Sequence, residues 1–135
     1  MGISINQLKG MTRKVEMILL ERGVKNSDQF LELIASPSQR KEMSRHLEVS
    51  ECEVLELANR ADLSRVKGVA GIYSDLLEQT GVDTVKELAT RNADNLHASI
   101  VDLNRKKGLA KRAPSIGMVK SWVDQAKQLP KLLTY

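Results

Sequence analysis

The sequence predicts an all-α fold made of two related halves, and three observations carry that reading. No segment of strand length alternates apolar and polar residues with period two. After Gly68 the apolar residues Val69, Ile72, Tyr73, Leu76 and Leu77 take the i, i+3, i+4, i+7, i+8 spacing of one buried helical face. The third observation is an internal repeat. Leu8-Lys9-Gly10-Met11 reads like Val66-Lys67-Gly68-Val69, at an offset of 58 residues that also carries Gly23 onto Gly81. Without a gap, Val15 then falls on Tyr73, Ile18 on Leu76, Leu19 on Leu77, Val24 on Val82 and Phe30 on Leu88. Two copies make a paired domain, since a solenoid needs about three. The expected halves are residues 1–60 and 61–135, with no Pro/Gly/Ser-rich linker between them and one shared aliphatic core.

Taken in order, residues 1–11 read as an extended arm leading to Leu8 and Met11, and Thr12 as the cap of a first helix over 12–22. In that helix Lys14 stands at the repeat position of Ile72, so its stem is expected to lie across the core edge. Ser27 is the expected cap of a second helix with Phe30, Leu31 and Ile34. Ser36-Pro37 starts a third, lined by Met43 and Leu47, because proline suits the first turn. Ser50-Glu51-Cys52-Glu53 has the capping-box form, which places a fourth helix over 51–60 and a bend over 59–65. The helix that opens at Gly68 should stop at Gly81, where a left-handed residue is wanted, and Asp83 should cap a short helix through Ala89. Asn92 or Asp94 starts the next, with Leu96, Ile100, Val101 and Leu103, closed by Arg105-Lys106-Lys107-Gly108. Pro114-Ser115 begins the last, carrying Ile116, Val119, Trp122, Val123 and Ala126 up to Pro130.

Composition narrows the function classes. Hydrophobic residues are 41% and charged residues 28% of the 135, ordinary for a globular chain, while aromatics at 3% leave few stacking platforms for single-stranded nucleic acid. The net charge of +4 and a pI near 9.3 lean toward an anionic partner. One cysteine forms no internal disulfide, so a cytoplasmic location is expected. No apolar run approaches the ~20 residues that span a bilayer, and Gly2 fits a myristoylation signal poorly because Asn6 replaces its Ser or Thr. Catalysis is not expected. His46 and Cys52 are too few for zinc, Cys52 is expected to be buried and inert, and His97 reads as a helix-face or capping residue. No cofactor, metal or small-molecule substrate is expected.

The turn Lys67-Gly68-Val69-Ala70-Gly71 is the sharpest candidate site. A glycine turn feeding a helix leaves amide groups aimed at one point, at the positive end of the helix dipole, which suits a phosphate oxygen. Lys67, and Lys9 beside Gly10 in the other copy, add charge; equally, Gly68 and Gly10 can serve only a sharp bend or a close helix approach. Arg105, Lys106, Lys107, Lys111 and Arg112 form a basic loop that can track a phosphate backbone or simply be solvated. Arg13 and Lys14 are weaker candidates. Trp122 reads as a core anchor or, less naturally, as part of an exposed groove-binding face.

Gly68-Val69-Ala70-Gly71, with Ile72, Leu76, Leu77 and Gly81-Val82-Asp83-Thr84, resembles the helix-hairpin-helix superfamily. More narrowly, Glu87-Leu88, Asn95-Leu96-His97, Asn104, Pro114-Ser115, Val119, Trp122 and Ala126-Lys127 extend a resemblance to a small bacterial family of unknown function with tandem hairpins, over roughly residues 60–129. The superfamily resemblance implies non-sequence-specific contact with duplex DNA phosphates through the amides of Gly68, Val69, Ala70 and Gly71, and of Gly10, Met11 and Thr12. This sequence departs from the usual Gly-hydrophobic-Gly core, with Ala70 in one copy and Thr12 in the other in place of the second glycine. The expected function is a non-enzymatic binding module for nucleic-acid phosphates. The alternative is a scaffold domain for a protein partner that keeps the hairpin fold without DNA.

Overall fold

Most helices of this chain begin at a side-chain oxygen that takes up a free amide. The computed structural model describes residues 3–69 and 71–135; the candidate residue Ala70, and Gly2, lie outside the described residues. A short 3-10 turn, Ile5–Gln7, precedes eight α-helices: α1 Arg13–Glu21, α2 Ser27–Leu33, α3 Pro37–Leu47, α4 Glu51–Leu63, α5 Ile72–Gln79, α6 Val85–Thr90, α7 Ala93–Lys107 and α8 Ile116–Gln128. Among the described residues there is no strand, only an isolated bridge between Ser4 and Asn26. Thr12, Ser36, Ser50, Asn92 and Ser115 cap α1, α3, α4, α7 and α8 as the sequence predicts.

The repeat extends to individual hydrogen bonds. Leu8 and Met11 donate to the carbonyls of Ile5 and Leu8, and at the equivalent positions Val66 and Val69 donate to Leu63 and Val66. Gly23 and Val24 close the first hairpin on Leu20 and Leu19; Gly81 and Val82 close the second on Glu78 and Leu77. Residues 3–11 are therefore not the expected extended arm. Ile5 and Leu8 are buried, and the Ile5 amide bonds to the carbonyl of Lys25 in the α1–α2 turn.

Four local expectations are corrected, three of them where a longer-range partner intervenes. Asn26, not Ser27, caps α2, because the buried Ser27 hydroxyl is engaged by the Ile3 amide and by Ser64 Oγ. Thr84, not Asp83, caps α6, and the Val85 amide is taken by Asp62 Oδ2 at 2.8 Å. The fourth helix runs on to Leu63 through the expected bend. Lys14 lies exposed, its ammonium 3.3 Å from Glu48, rather than across the core edge.

In place of one shared core there are two apolar clusters. Val15, Leu19, Phe30, Ile34, Leu47, Val54 and Ala61 belong to the first, and Leu63, Val66, Leu76, Leu88, Ile100 and Trp122 to the second. Cluster membership changes within the last turn of α4, between Ala61 and Leu63. The strongest helix pairings, α2, α3 and α4 in the first half and α6, α7 and α8 in the second, stay within one half. Polar side chains bond between the halves: Arg60 Nη1 reaches Ser74 Oγ and Asp75 Oδ1, Arg60 Nε reaches Glu78 Oε2, and Ser64 bonds Ser27.

Beyond α8 the chain returns to the first half, where Leu133 is buried in the first cluster. Tyr135 follows, its hydroxyl 3.3 Å from Asn59 Oδ1. Burial, then the negative charges of Asp62 and Asp83, push its phenol above the ordinary value of 10.0, against smaller opposing effects of Arg40 and Thr84. The unfolded chain therefore ionises first. The stability contributed by the neutral phenol is full below 10.0 and is lost as pH rises through the higher folded value. A phenolate absorbance titration of a Tyr73→Phe variant, which isolates Tyr135, should give a midpoint above 10.0 that falls to the ordinary value in denaturant; equal midpoints in the two states would contradict it.

Candidate nucleic-acid interface

The second hairpin turn is held against α8. Val66 and Val69 are buried and tied to each other by the Val69 amide. Between them the Lys67 amide donates to Gln125 Oε1 at 2.8 Å, and Gln125 Nε2 returns a bond to the Lys67 carbonyl. Gly68 has φ +92°, and a Cβ there would sit 3.0 Å from Trp122 Nε1. Two requirements thus meet at Gly68: a left-handed backbone and room for the indole edge. Trp122 is 2% exposed, with its ring 5.6 Å from that of Tyr73, so it anchors the turn from the core.

This geometry corrects part of the expected contact. Of the amides expected at the contact, that of Val69 is taken by the Val66 carbonyl; the Lys67 amide, which is not one of them, is taken by Gln125. The Lys67 side chain itself is exposed. The N-cap of α5 is Gly71, which has no side chain to make a cap bond, whereas α1 begins one repeat position earlier and is capped by Thr12 Oγ1 on the Val15 amide. The two hairpin starts are therefore unequal, and only the second leaves its helix without a side-chain cap. Gly10 has a positive φ as well, and a Cβ there would meet Leu57 of α4 at 3.7 Å.

Around the start of α5 the chain gathers charge from two directions. Lys9 Nζ lies 3.5 Å from Asp75 Oδ2, and Arg60 Nη1 lies 2.6 Å from Asp75 Oδ1, so the one acidic residue of this first turn is covered by two cations. On the other side Tyr73 Oη donates to the Arg112 carbonyl at 3.3 Å. Ile72, Tyr73, Leu109, Ala110, Lys111 and Arg112 line one open depression of about 440 Å³. Ile72, expected on the buried face, is 38% exposed at its rim, while Ser74 is buried in its stead and bonds the Gly71 carbonyl.

Two side chains pin the basic loop. Asn104 accepts from the Ala110 amide at 2.8 Å and donates back to its carbonyl, and His97 Nε2 bonds the Pro114 carbonyl at 3.0 Å. Arg105, Lys106 and Lys107 form the last turn of α7, where cations suit the negative end of the dipole. Lys106 pairs with Asp102 at 3.1 Å, while Arg105, Lys107, Lys111 and Arg112 all present exposed side chains. Tyr73, Asn104 and Gln125 thus shape the site. A polar residue that fastens a loop leaves no periodic signal, and of these three only Asn104 belongs to the family resemblance over residues 60–129.

Cys52, expected to be buried, is exposed in the first turn of α4. Among the described residues no group of three or more His, Cys, Asp or Glu is placed to hold a metal ion. No described helix is long and apolar enough to cross a membrane.

Residues 9–129 match the family described as Domain of unknown function (DUF4332), and the chain belongs to that family. The match reaches across both halves, further than the resemblance over residues 60–129. Neither curated proteins nor solved structures gave a match.

Proposed function

We propose that the protein is a non-enzymatic module that binds nucleic-acid phosphates without reading sequence, using the start of α5 and the basic loop beside it. The observation that carries this is the junction of Tyr73 with Arg112, which sets an uncapped helix start and the exposed cations Lys111 and Arg112 around one depression. An uncapped N-terminus favours a phosphate oxygen, and flanking Lys and Arg side chains supply the counterion-release term that dominates such binding. The resemblance to the helix-hairpin-helix superfamily supports the same reading. The first hairpin contributes Lys9 and no amide site, because Thr12 caps its own helix.

The scaffold reading has one observation in its favour, the internal bonding of the Val69 amide, one of those that the superfamily resemblance assigns to phosphate contact. A fluorescence-anisotropy titration with labelled duplex DNA at several salt concentrations separates the two. On the nucleic-acid reading, log K falls linearly with log salt, and a Lys111→Glu/Arg112→Glu variant binds at least tenfold more weakly. Its salt slope should also be shallower by about 1 for each phosphate that the variant leaves without a cation. Absence of binding at ~50 mM salt would overturn the reading and leave a protein partner.

A further inference from the structure

Residues 131–135 carry the chain from the second half back onto the first. Lys131 and Leu132 are exposed, Leu133 alone is inserted among the first-half side chains, and Thr134 and Tyr135 lie on the surface. The main chain is gripped at one residue from both sides: the Thr134 amide donates to the Ala35 carbonyl at 2.8 Å, and Arg40 Nη2 donates to the Thr134 carbonyl at 2.6 Å. Arg40 is 5% exposed and is set in place by its other bonds, to the carbonyls of Ile34 and Ala35. Its guanidinium carbon lies 5.6 Å from the centre of the Tyr135 ring, and the phenol hydroxyl donates to Asn59 Oδ1 with Thr84 of the second half also bonding it.

This corner of the first half has the parts of a peptide-recognition site. Two bonds read backbone and so accept any extended residue; one apolar hole selects leucine; one face of a fixed guanidinium, with an amide oxygen beyond it, selects tyrosine two positions later. Leu133 is the one buried side chain of this segment, so its attachment, with the Thr134 and Tyr135 bonds, is small beside the packing of the helices beneath. We infer that the corner formed by Ile34, Ala35, Arg40 and Asn59 is a docking site for an extended segment of Leu-x-Tyr pattern. Residues 132–135 are its resident, exchangeable occupant, and a partner chain bearing the same pattern takes their place when they lift. The inference is independent of the nucleic-acid reading.

The test uses the full chain with Leu133→Asp, which lifts the segment, and a synthetic peptide of residues 131–135 at about 1 mM, the range of a tethered competitor's effective concentration. Backbone amide shifts of Ala35 and side-chain shifts of Arg40 and Asn59 report the site. The peptide should move these signals back toward their positions in the unaltered chain, at least tenfold more effectively than it perturbs the unaltered chain itself. The same peptide carrying Leu133→Asp should do nothing. A helical Leu133→Asp chain whose signals the peptide leaves unmoved overturns the proposal. Hydrogen exchange on the unaltered chain is the second measurement: the Thr134 amide should exchange far faster than the amides of α4, and equal protection would show a segment that never lifts, which also overturns it.

Discussion

Replacing Trp122 with alanine should lower the unfolding free energy by about 3–5 kcal/mol, the usual loss for a large aromatic removed from a core. The magnitude follows from position: the indole is 2% exposed, stacks obliquely on Tyr73 and stands where a Gly68 side chain would otherwise be. The effect therefore reaches beyond stability, since the same ring backs the turn that leads to α5. Urea denaturation followed by far-ultraviolet circular dichroism is the measurement, because the variant removes the only tryptophan fluorophore. Trp122→Phe keeps a ring against Tyr73 and should lose clearly less. A loss under about 1 kcal/mol for the alanine variant, the size of an ordinary substitution, would mean the indole is not the anchor described.

Asp62→Ala is expected to cost nearly as much, about 3–5 kcal/mol, because it strands a buried cation. Asp62 and Arg65 side chains are 5% and 8% exposed and joined at 2.7 Å, with a second bond from Arg65 Nε. The other carboxylate oxygen accepts from the Val85 amide at the start of α6, so the substitution also frees a helix-start donor. Asp62→Asn keeps an acceptor for Val85 and should fall between. Adding Arg65→Met to Asp62→Ala should recover part of the loss, since removing both charges is cheaper than removing one. If the double variant is as unstable as the two single losses added together, the pair is not coupled as its geometry requires.

Several parts of this architecture were legible in the residues themselves. Val69, Leu76 and Leu77 are buried as their spacing predicts, and the offset of 58 residues carries Leu19 and Phe30 onto Leu77 and Leu88, all four buried. The signal weakens wherever a distant group competes with a local rule. In the first copy the Ser27 amide at the start of α2 bonds the Ile3 carbonyl; in the second, the equivalent Val85 amide bonds a carboxylate from α4. Neither choice can be read from the capping residues alone, and both shifted the expected cap by one position. Gly68 announced a special turn, but its reason, the indole edge of Trp122, lies far along the chain. Leu133 follows Pro130 with no helical period, so nothing marked it as a core residue. For the candidate site, the cations and the glycine turn were visible; the Tyr73 bond that unites them was not, because a tyrosine in a periodic face reads only as core.

The helix α4 runs unbroken through the point where one cluster hands over to the other, and this makes it a shaft that fixes the angular phase of the two halves. Inserting one residue between Ala61 and Asp62 would turn everything after it by about 100° around that shaft and advance it by about 1.5 Å. Arg60 would then face away from Asp75, Ser64 from Ser27, and the returning segment from Arg40, all in one step. A whole turn's insertion would nearly restore the angle while lengthening the shaft by about 5 Å. The relation between the halves is thus tuned by rotation far more sharply than by distance, and length changes in this helix should be tolerated, if at all, only near multiples of a turn.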